Sequence, residues 1–193
     1  MAWSAATLVT PPAQPAVSLA AAKQFLRIDA ETDDFDAQLT SFAAAAVEQV
    51  EAMCSIRLAP QTIEIRADEW SDLLRLPIGP VTAIVTVHYQ DRAGGEQLLD
   101  AEACELFGAG LETGIRLALG FGWPNDVRPV NGAIRVRLNV GYEVLPGPVW
   151  AAVLYHVGDL FAFRETAVAG GGAMKVPMST AVAALLANYR IWQ

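Results

Sequence analysis

The sequence predicts an α+β protein in which a helical body, built of two N-terminal and two C-terminal helices, carries an inserted antiparallel β lobe. Three observations predict this class. Apolar residues recur every three or four positions before about residue 60 and after about residue 147, which is typical of helices with one buried face. Between about residues 61 and 142 the apolar period changes to two, as in half-buried strands. This order favours one domain, residues 18–193, interrupted by a sheet.

Composition excludes several classes of protein. The 193 residues are 53% hydrophobic, which excludes a disordered chain and indicates apolar surface covered by partners. A net charge of −8 argues against a protein built to hold nucleic acid. The longest apolar runs are too short to span a membrane, and the first residues lack a secretory signal, so we expect a protein made in the cytoplasm without a membrane partner. Cys54 and Cys104 are interpreted as reduced packing residues.

The N-terminal part predicts an arm and two helices. Residues 1–17 contain three prolines within "PPAQP" and are interpreted as an extended arm. Ser18 is placed to cap a first helix, "LAAAKQFLRI". After the polar break "DAETDD", Asp33 or Asp34 is expected to cap a second helix that runs to about Cys54.

The middle of the chain predicts strands. "TIEIRA" and "VTAIVTVHYQ" are rich in β-branched residues, and "DRAGG" is a hairpin turn before the return strand "EQLLD". "GIRLAL" is a further short strand. "AIRVRLNV" alternates most clearly, with Ile134 and Val136 on one face and Arg135 and Arg137 on the other.

The C-terminal part predicts two more helices. "LPGP" at 145–148 starts a wide apolar helix that ends near Phe163. Gly170, Gly171 and Gly172 then form a hinge, and Ser179 or Thr180 caps a last helix. Residues 148–193 are the only part with a net positive charge, +1, against −4 for residues 1–60 and −5 for residues 61–147. Two interpretations stay open: a docking segment for a partner, or a helix that folds onto its own core.

Candidate chemistry is sparse. His156 and Asp159 share a helix face, which allows either a catalytic base with its orienting carboxylate or a partly buried histidine satisfied by a neighbour. Two histidines and two distant cysteines do not have metal-ligand spacing, and the acidic "DAETDDFD" lacks the glycine and distal glutamate of a calcium loop. We therefore predict no catalytic residue, no metal and no cofactor. Three arginines of the β lobe form a possible partner surface: Arg128, Arg135 and Arg137.

Four stretches together carry a family resemblance. They are "VSLAAAKQFLRIDAETDDFDAQLTSFAAAAVEQVE", "LRLPIGPVTAIVTVHYQDRAGGEQ", "WPNDVRPVNGAIRVRLNVGY" and "LPGPVWAAVLYHVGDLFAFRET". In this order and spacing they resemble the head–tail connector (adaptor) proteins of tailed bacteriophages and phage-derived gene transfer agents. The resemblance covers about residues 17–190.

The resemblance implies a structural role in the neck of a virion or phage-like particle. Such proteins form a ring, usually a dodecamer, on the portal protein, extend the DNA channel without binding DNA specifically, and join the head to a downstream tail or stopper component. In relatives the C-terminal segment reaches the portal, which implies a docking segment here at about residues 164–193 of a single connector domain. The residues to which the resemblance gives this role are Met174, Lys175, Val182, Leu185, Leu186, Tyr189, Arg190, Ile191 and Trp192.

Two other functions remain open from the sequence. One is a small-molecule binding module that uses the β lobe. The other is a hydrolase that uses His156 and Asp159.

Overall fold

The computed structural model describes residues 3–162 and 179–192. These residues form four α-helices and seven antiparallel strands, so the predicted α+β class is confirmed. The chain divides into two compact units. Unit 1 comprises residues 1–13, 55–143 and 191–193, and unit 2 comprises residues 14–54 and 144–190.

Unit 2 contains the helices. They are α1 (Leu19–Leu26), α2 (Asp36–Cys54), α3 (Gly147–Ala162) and α4 (Thr180–Leu186). Helix α2 packs against α1 and α3, and α4 packs against α3. Both caps predicted from serines are confirmed, since Ser18 Oγ accepts the backbone N–H of Ala21 at 3.2 Å and Ser179 Oγ accepts that of Val182 at 3.3 Å. These hydroxyls satisfy N–H groups that a helix leaves unpaired in its first turn.

Helix α2 begins at Asp36, two to three residues later than the predicted caps, because the backbone N–H of Asp36 closes a turn onto the carbonyl of Asp33. Its buried face is close to the predicted stripe. Leu39, Ala46 and Val50 are fully buried as expected. At the C-terminal end the buried residue is Cys54. The cysteine therefore packs as a small apolar residue, and burial raises the pKa of its thiol.

Unit 1 is built on a five-stranded sheet. Its strands are β1 (Thr7–Thr10), β2 (Gln61–Ala67), β3 (Val81–Gln90), β4 (Glu96–Leu98) and β7 (Ile134–Val140). They are ordered β1-β2-β7-β3-β4, and every neighbouring pair is antiparallel. A separate two-stranded sheet pairs β5 (Cys104–Ala109) with β6 (Glu112–Leu117).

The central strand β7 has the two faces that its sequence predicts. Ile134, Val136, Leu138 and Val140 are buried in the core of unit 1. Arg135 and Arg137 point to the opposite face, where they meet Glu64 of β2. Because side chains alternate strictly along a strand, this pattern fixes the register of β7 against both of its neighbours.

Two strands were missed in the sequence. Strand β1 lies in the predicted extended arm and pairs with β2 at the sheet edge, with all four residues exposed. Strand β5 precedes a glycine-rich turn in which Gly108 has a φ of +91°, a conformation that favours glycine. Neither strand has a clear alternation of buried and exposed residues, which is the signal that reveals β7.

Candidate interaction surfaces

The last helix belongs in part to the core of its own unit. Val182 and Leu186 of α4 are fully buried, whereas Leu185 is half-buried. Tyr189 follows in a short 3-10 helix and is also half-buried. Val182 and Leu186, two of the predicted docking residues, therefore hold α4 within unit 2 of the same chain.

Arg190 connects this segment to the end of α2. Its Nε donates a hydrogen bond to the carbonyl oxygen of Met53 at 3.3 Å, and its charge counteracts the rise in the pKa of the Cys54 thiol. Helix α2 has no basic residue in its own last turn. Because a helix C-terminus carries unpaired carbonyl groups and a partial negative charge, Arg190 supplies the missing cation there.

The final described residues, Ile191 and Trp192, belong to unit 1. The carbonyl oxygen of Trp192 accepts a hydrogen bond from Arg75 Nη2 at 2.9 Å. The Ile191 side chain lies close to Gly79. If this glycine carried a Cβ atom, that atom would lie 3.3 Å from Ile191 Cδ1. The Trp192 side chain is 67% exposed. The backbone of Trp192 is thus held by Arg75, while most of its indole is exposed to solvent.

Several predicted residues lie outside the described part of the chain. These are Met174, Lys175 and the hinge glycines Gly170, Gly171 and Gly172. The docking prediction therefore has structural detail only for residues 179–192.

The predicted arginine surface divides into two parts. Arg135 and Arg137 lie on the outer side of the sheet beside Glu64, whose side chain is only 13% exposed. Arg137 Nε donates to Glu64 Oε2 at 2.9 Å, and Arg135 also forms an ion pair of 2.5 Å with Glu96. With Arg66, whose Nη2 is 3.6 Å from Glu64 Oε1, these side chains form what we call the arginine face.

Arg128 is not part of the arginine face. It lies in the loop before β7, where its backbone N–H donates to the carbonyl of Gln90 and its side chain is exposed. The three predicted arginines therefore do not form one free basic patch, because the two on β7 are already paired with carboxylates.

The acidic run before α2 is organised around a buried cation. Lys23 of α1 is 6% exposed, and its Nζ donates to the carbonyl oxygens of Ala30 at 3.1 Å and Thr32 at 2.7 Å. The same ammonium forms an ion pair of 2.6 Å with Asp36, the first residue of α2. We call this arrangement the Lys23 clamp. A buried ammonium needs such a complete set of acceptors.

His156 is buried in unit 2 and has an amide as its neighbour. Its Nε2 lies 2.6 Å from Gln49 Oε1, so this nitrogen carries the proton and donates it to the amide oxygen. Burial lowers the pKa of His156 below its usual 6.5, and the nearby Asp159 carboxylate partly opposes this. Among the described residues, His156 Nδ1 and Asp159 Oδ2 are both buried without a hydrogen-bond partner, so the predicted histidine and carboxylate are not hydrogen-bonded to each other. The ring is satisfied at Nε2 alone, by an amide, and the hydrogen bond that would orient a catalytic base is not formed in this part of the chain.

Residues 3–162 and 179–192 contain no cluster of three metal-ligating side chains. Within the same ranges, no helix has the length and apolarity needed to cross a membrane.

An exposed apolar loop lies outside the residues predicted from the sequence to be functional. Residues 118–122, which we call the loop tip, follow β6 and contain Leu119, fully exposed, and Phe121, 46% exposed. The base of this loop is fixed. Trp123 stacks on Trp70 with ring centroids 4.6 Å apart, and the Trp70 indole N–H donates to the carbonyl of Pro124 at 3.1 Å. The sequence feature that indicates this loop is "ALGFG", in which two bulky apolar residues are separated by a glycine and fit neither a helical nor a strand period.

Next to the loop tip lies an apolar groove of about 370 Å³. The Ala118 N–H donates to the carbonyl of Ala103 at 2.9 Å, and Leu117 pairs with Cys104, which lines the groove. Burial raises the pKa of this thiol to about 11, so it remains protonated at neutral pH. The lining residues are Ile84, Val85, Thr86, Val87, Leu98, Leu99, Asp100 and Cys104.

Comparison with known proteins identifies the fold. No protein-family profile and no curated protein matches this sequence. A chain in a solved structure of the neck of an empty gene transfer agent (GTA) particle, computed with C6 symmetry, is 23% identical with a TM-score of 0.73, and the match covers 98% of this chain and 97% of that chain. A chain in the virion of a native GTA particle is 24% identical with a TM-score of 0.73, and the match covers 97% and 96%.

A third match is to a chain in the neck of a native GTA particle, computed with C12 symmetry. It is 24% identical with a TM-score of 0.66, and the match covers 97% of this chain and 96% of that chain. These likenesses agree with the resemblance found in the sequence. The fold of this chain is therefore one found, over nearly its whole length, in chains of gene transfer agent particles and of their necks.

Proposed function

We propose that this chain is a structural, non-enzymatic head–tail connector in the neck of a phage or phage-derived particle. The observation that carries the proposal is the match to a chain of a GTA neck over 98% of this chain, in which both units take part. The buried His156, hydrogen-bonded to Gln49, supports a role without catalysis.

We further propose that the chain forms a ring, a dodecamer, on the portal protein. Helix α3 supports a subunit contact because Asp159 is its only charged residue, yet Trp150 and Tyr155 are 42% and 48% exposed. Phe25 of α1 packs edge-on against Tyr155 with ring centroids 5.5 Å apart and is itself 38% exposed. A helix that is apolar on nearly all sides is usually covered, and copies of an acidic chain approach best along an uncharged surface.

The acidic composition suits a DNA channel. Twelve copies with a net charge of −8 would carry roughly −96 before screening. Acids that line such a channel repel phosphates, so DNA would pass without specific binding. On the far side of the ring we propose contact with a downstream tail or stopper component.

We assign portal docking to about residues 174–193, with the glycines at 170–172 as the hinge. Of the described residues, Trp192 is the strongest anchor because its indole is 67% exposed while its carbonyl is held by Arg75. Leu185, Tyr189 and Ile191 are half-buried and supply further contact area. Val182 and Leu186 instead hold α4 in place.

The proposed function is tested first by locating the chain. Electron cryomicroscopy of particles from the source cell should show a ring of this chain between the portal and the tail, and deletion of its gene should give DNA-filled heads without tails. Location of the chain outside the neck, or normal tailed particles in the deletion strain, would contradict the proposal.

The docking assignment is tested by Trp192→Ala. Loss of a buried tryptophan anchor should weaken portal binding by about 2 kcal/mol or more. The measurement is co-sedimentation with the portal protein of the same particle, with circular dichroism as the check on folding. Phe121→Ala is the matched control, because it also removes an exposed aromatic side chain but lies in the loop tip. Equal binding by both variants would place the docking site elsewhere on the chain.

A further inference from the structure

The loop tip and the apolar groove lie at the same end of unit 1. The backbone contact between Ala118 and Ala103 places the start of the tip beside the short 3-10 helix that follows Asp100 in the groove. Leu98 in the groove is 63% exposed and Val85 is 43% exposed. With Leu119 and Phe121 they give four large apolar side chains exposed at one end of the unit.

The chain segment that forms much of this apolar surface is acidic. Residues 97–127 contain five acids and a single base, Arg116. That base is already engaged, since its Nε donates to Glu105 Oε1 at 2.7 Å. Asp100 lines the groove, and Glu102 is exposed two residues further on. Residues 97–127 therefore give the groove and the loop tip a net negative charge.

We propose that the groove and the loop tip together form a docking surface for a segment of another protein that presents a bulky apolar side chain flanked by lysine or arginine. The groove, at about 370 Å³, is near the lower end of the about 300–1,000 Å³ typical of small-molecule sites, a size suited to inserted side chains. Its acidic rim complements a basic flank, and such rim charges steer association and select partners.

The same charges disfavour other occupants. Asp100 and Glu102 repel nucleic-acid phosphates and anionic lipid headgroups. A second copy that met this surface with its own equivalent surface would bring the same acids against each other, because the loop tip carries no basic residue of its own. This surface therefore differs from the uncharged surface of α3, and the inference does not depend on ring formation.

The test uses the full chain and two synthetic peptides. One carries Leu-Phe flanked by lysines, and the other carries the same Leu-Phe flanked by glutamates. Titration followed by amide chemical shifts should show binding of the lysine peptide, with shifts confined to residues 84–87, 98–104 and 117–122. The glutamate peptide should bind at least about fivefold more weakly, because exposed charge pairs contribute modestly and like charges oppose binding.

Charge reversal makes the test specific. Glu102→Lys should weaken binding of the lysine peptide by about fivefold or more and strengthen that of the glutamate peptide, since one rim charge changes sign. Glu112→Lys is the matched control: it makes the same change of net charge at the β5–β6 turn, and should alter either affinity by less than about twofold. Absence of peptide binding, equal affinity for the two peptides, equal effects of the two variants, or shifts that map to α3 would each overturn the proposal. Shifts at the stated residues that disappear in Leu98→Ser would support it.

Discussion

The Lys23 clamp of unit 2 and the arginine face of unit 1 both pair cations with carboxylates, but at different depths. Lys23 is 6% exposed, donates to two backbone carbonyls and forms an ion pair with Asp36. Arg137 is 39% exposed at its side chain and shares one carboxylate, that of Glu64, with two other arginines. The clamp therefore joins elements of the fold, whereas the arginine face mainly neutralises a surface.

The largest effect is expected from breaking the clamp. Lys23→Met removes the cation and leaves Asp36 and two carbonyls without their donor, which should lower the free energy of unfolding by about 2–4 kcal/mol. Urea denaturation followed by circular dichroism measures this. Asp34→Asn is the control from the same acidic run, and since its side chain is exposed it should change stability by less than about 0.5 kcal/mol. Similar losses in both variants would mean that the acidic run acts as a whole and that no clamp exists.

A smaller loss is expected on the arginine face. Glu64→Gln keeps the shape of the side chain but leaves three neighbouring guanidinium groups without their shared charge, which should cost about 1–2 kcal/mol of unfolding free energy. The comparison variant is Glu105→Gln, whose ion pair with Arg116 is exposed on both sides and should be worth at most about 0.5 kcal/mol. If Glu64→Gln were as mild as Glu105→Gln, the arginine face would be ordinary solvated surface.

The smallest effect should be a pH dependence of the stability that His156 contributes to unit 2. The pKa of His156 is lowered by burial, so below about pH 6.5 the unfolded chain binds a proton that the folded chain resists. The contribution of this histidine to stability is therefore present above pH 6.5 and declines as the pH falls towards the lowered value. Thermal unfolding midpoints between pH 7.5 and 5.5 should fall more steeply in the native chain than in His156→Gln, and parallel curves would show that His156 does not titrate on unfolding.

The sequence predicted best the elements whose burial has a strict period. Strand β7 alternates without interruption, so its apolar core residues and its arginines were assigned to the right faces. The cap at Ser18 followed from side-chain chemistry that acts within three residues. Such local rules need no knowledge of what packs against the element.

Contacts between distant parts of the chain could not be predicted in this way. Arg137 was interpreted as a possible partner surface, yet its partner is Glu64, which lies 73 residues away in the sequence. The role of Arg190 at the end of α2 is likewise long-range, since Met53 lies 137 residues away. Strand β1 was missed because an exposed edge strand has no buried face to give it a period. A pattern in one segment shows that a surface exists, but only the fold shows what occupies it.

The stacked pair Trp70–Trp123 has a consequence for the entropy of binding. By fixing the base of the loop, the stack and the Trp70–Pro124 hydrogen bond leave only residues 118–122 to be ordered when a partner arrives. Ordering flexible residues on binding costs conformational freedom, and a loop that is already held in place loses less of it. The base of the loop is thus preorganised, and a partner that contacts Leu119 and Phe121 has few residues to order and retains more of its gross interaction energy as affinity.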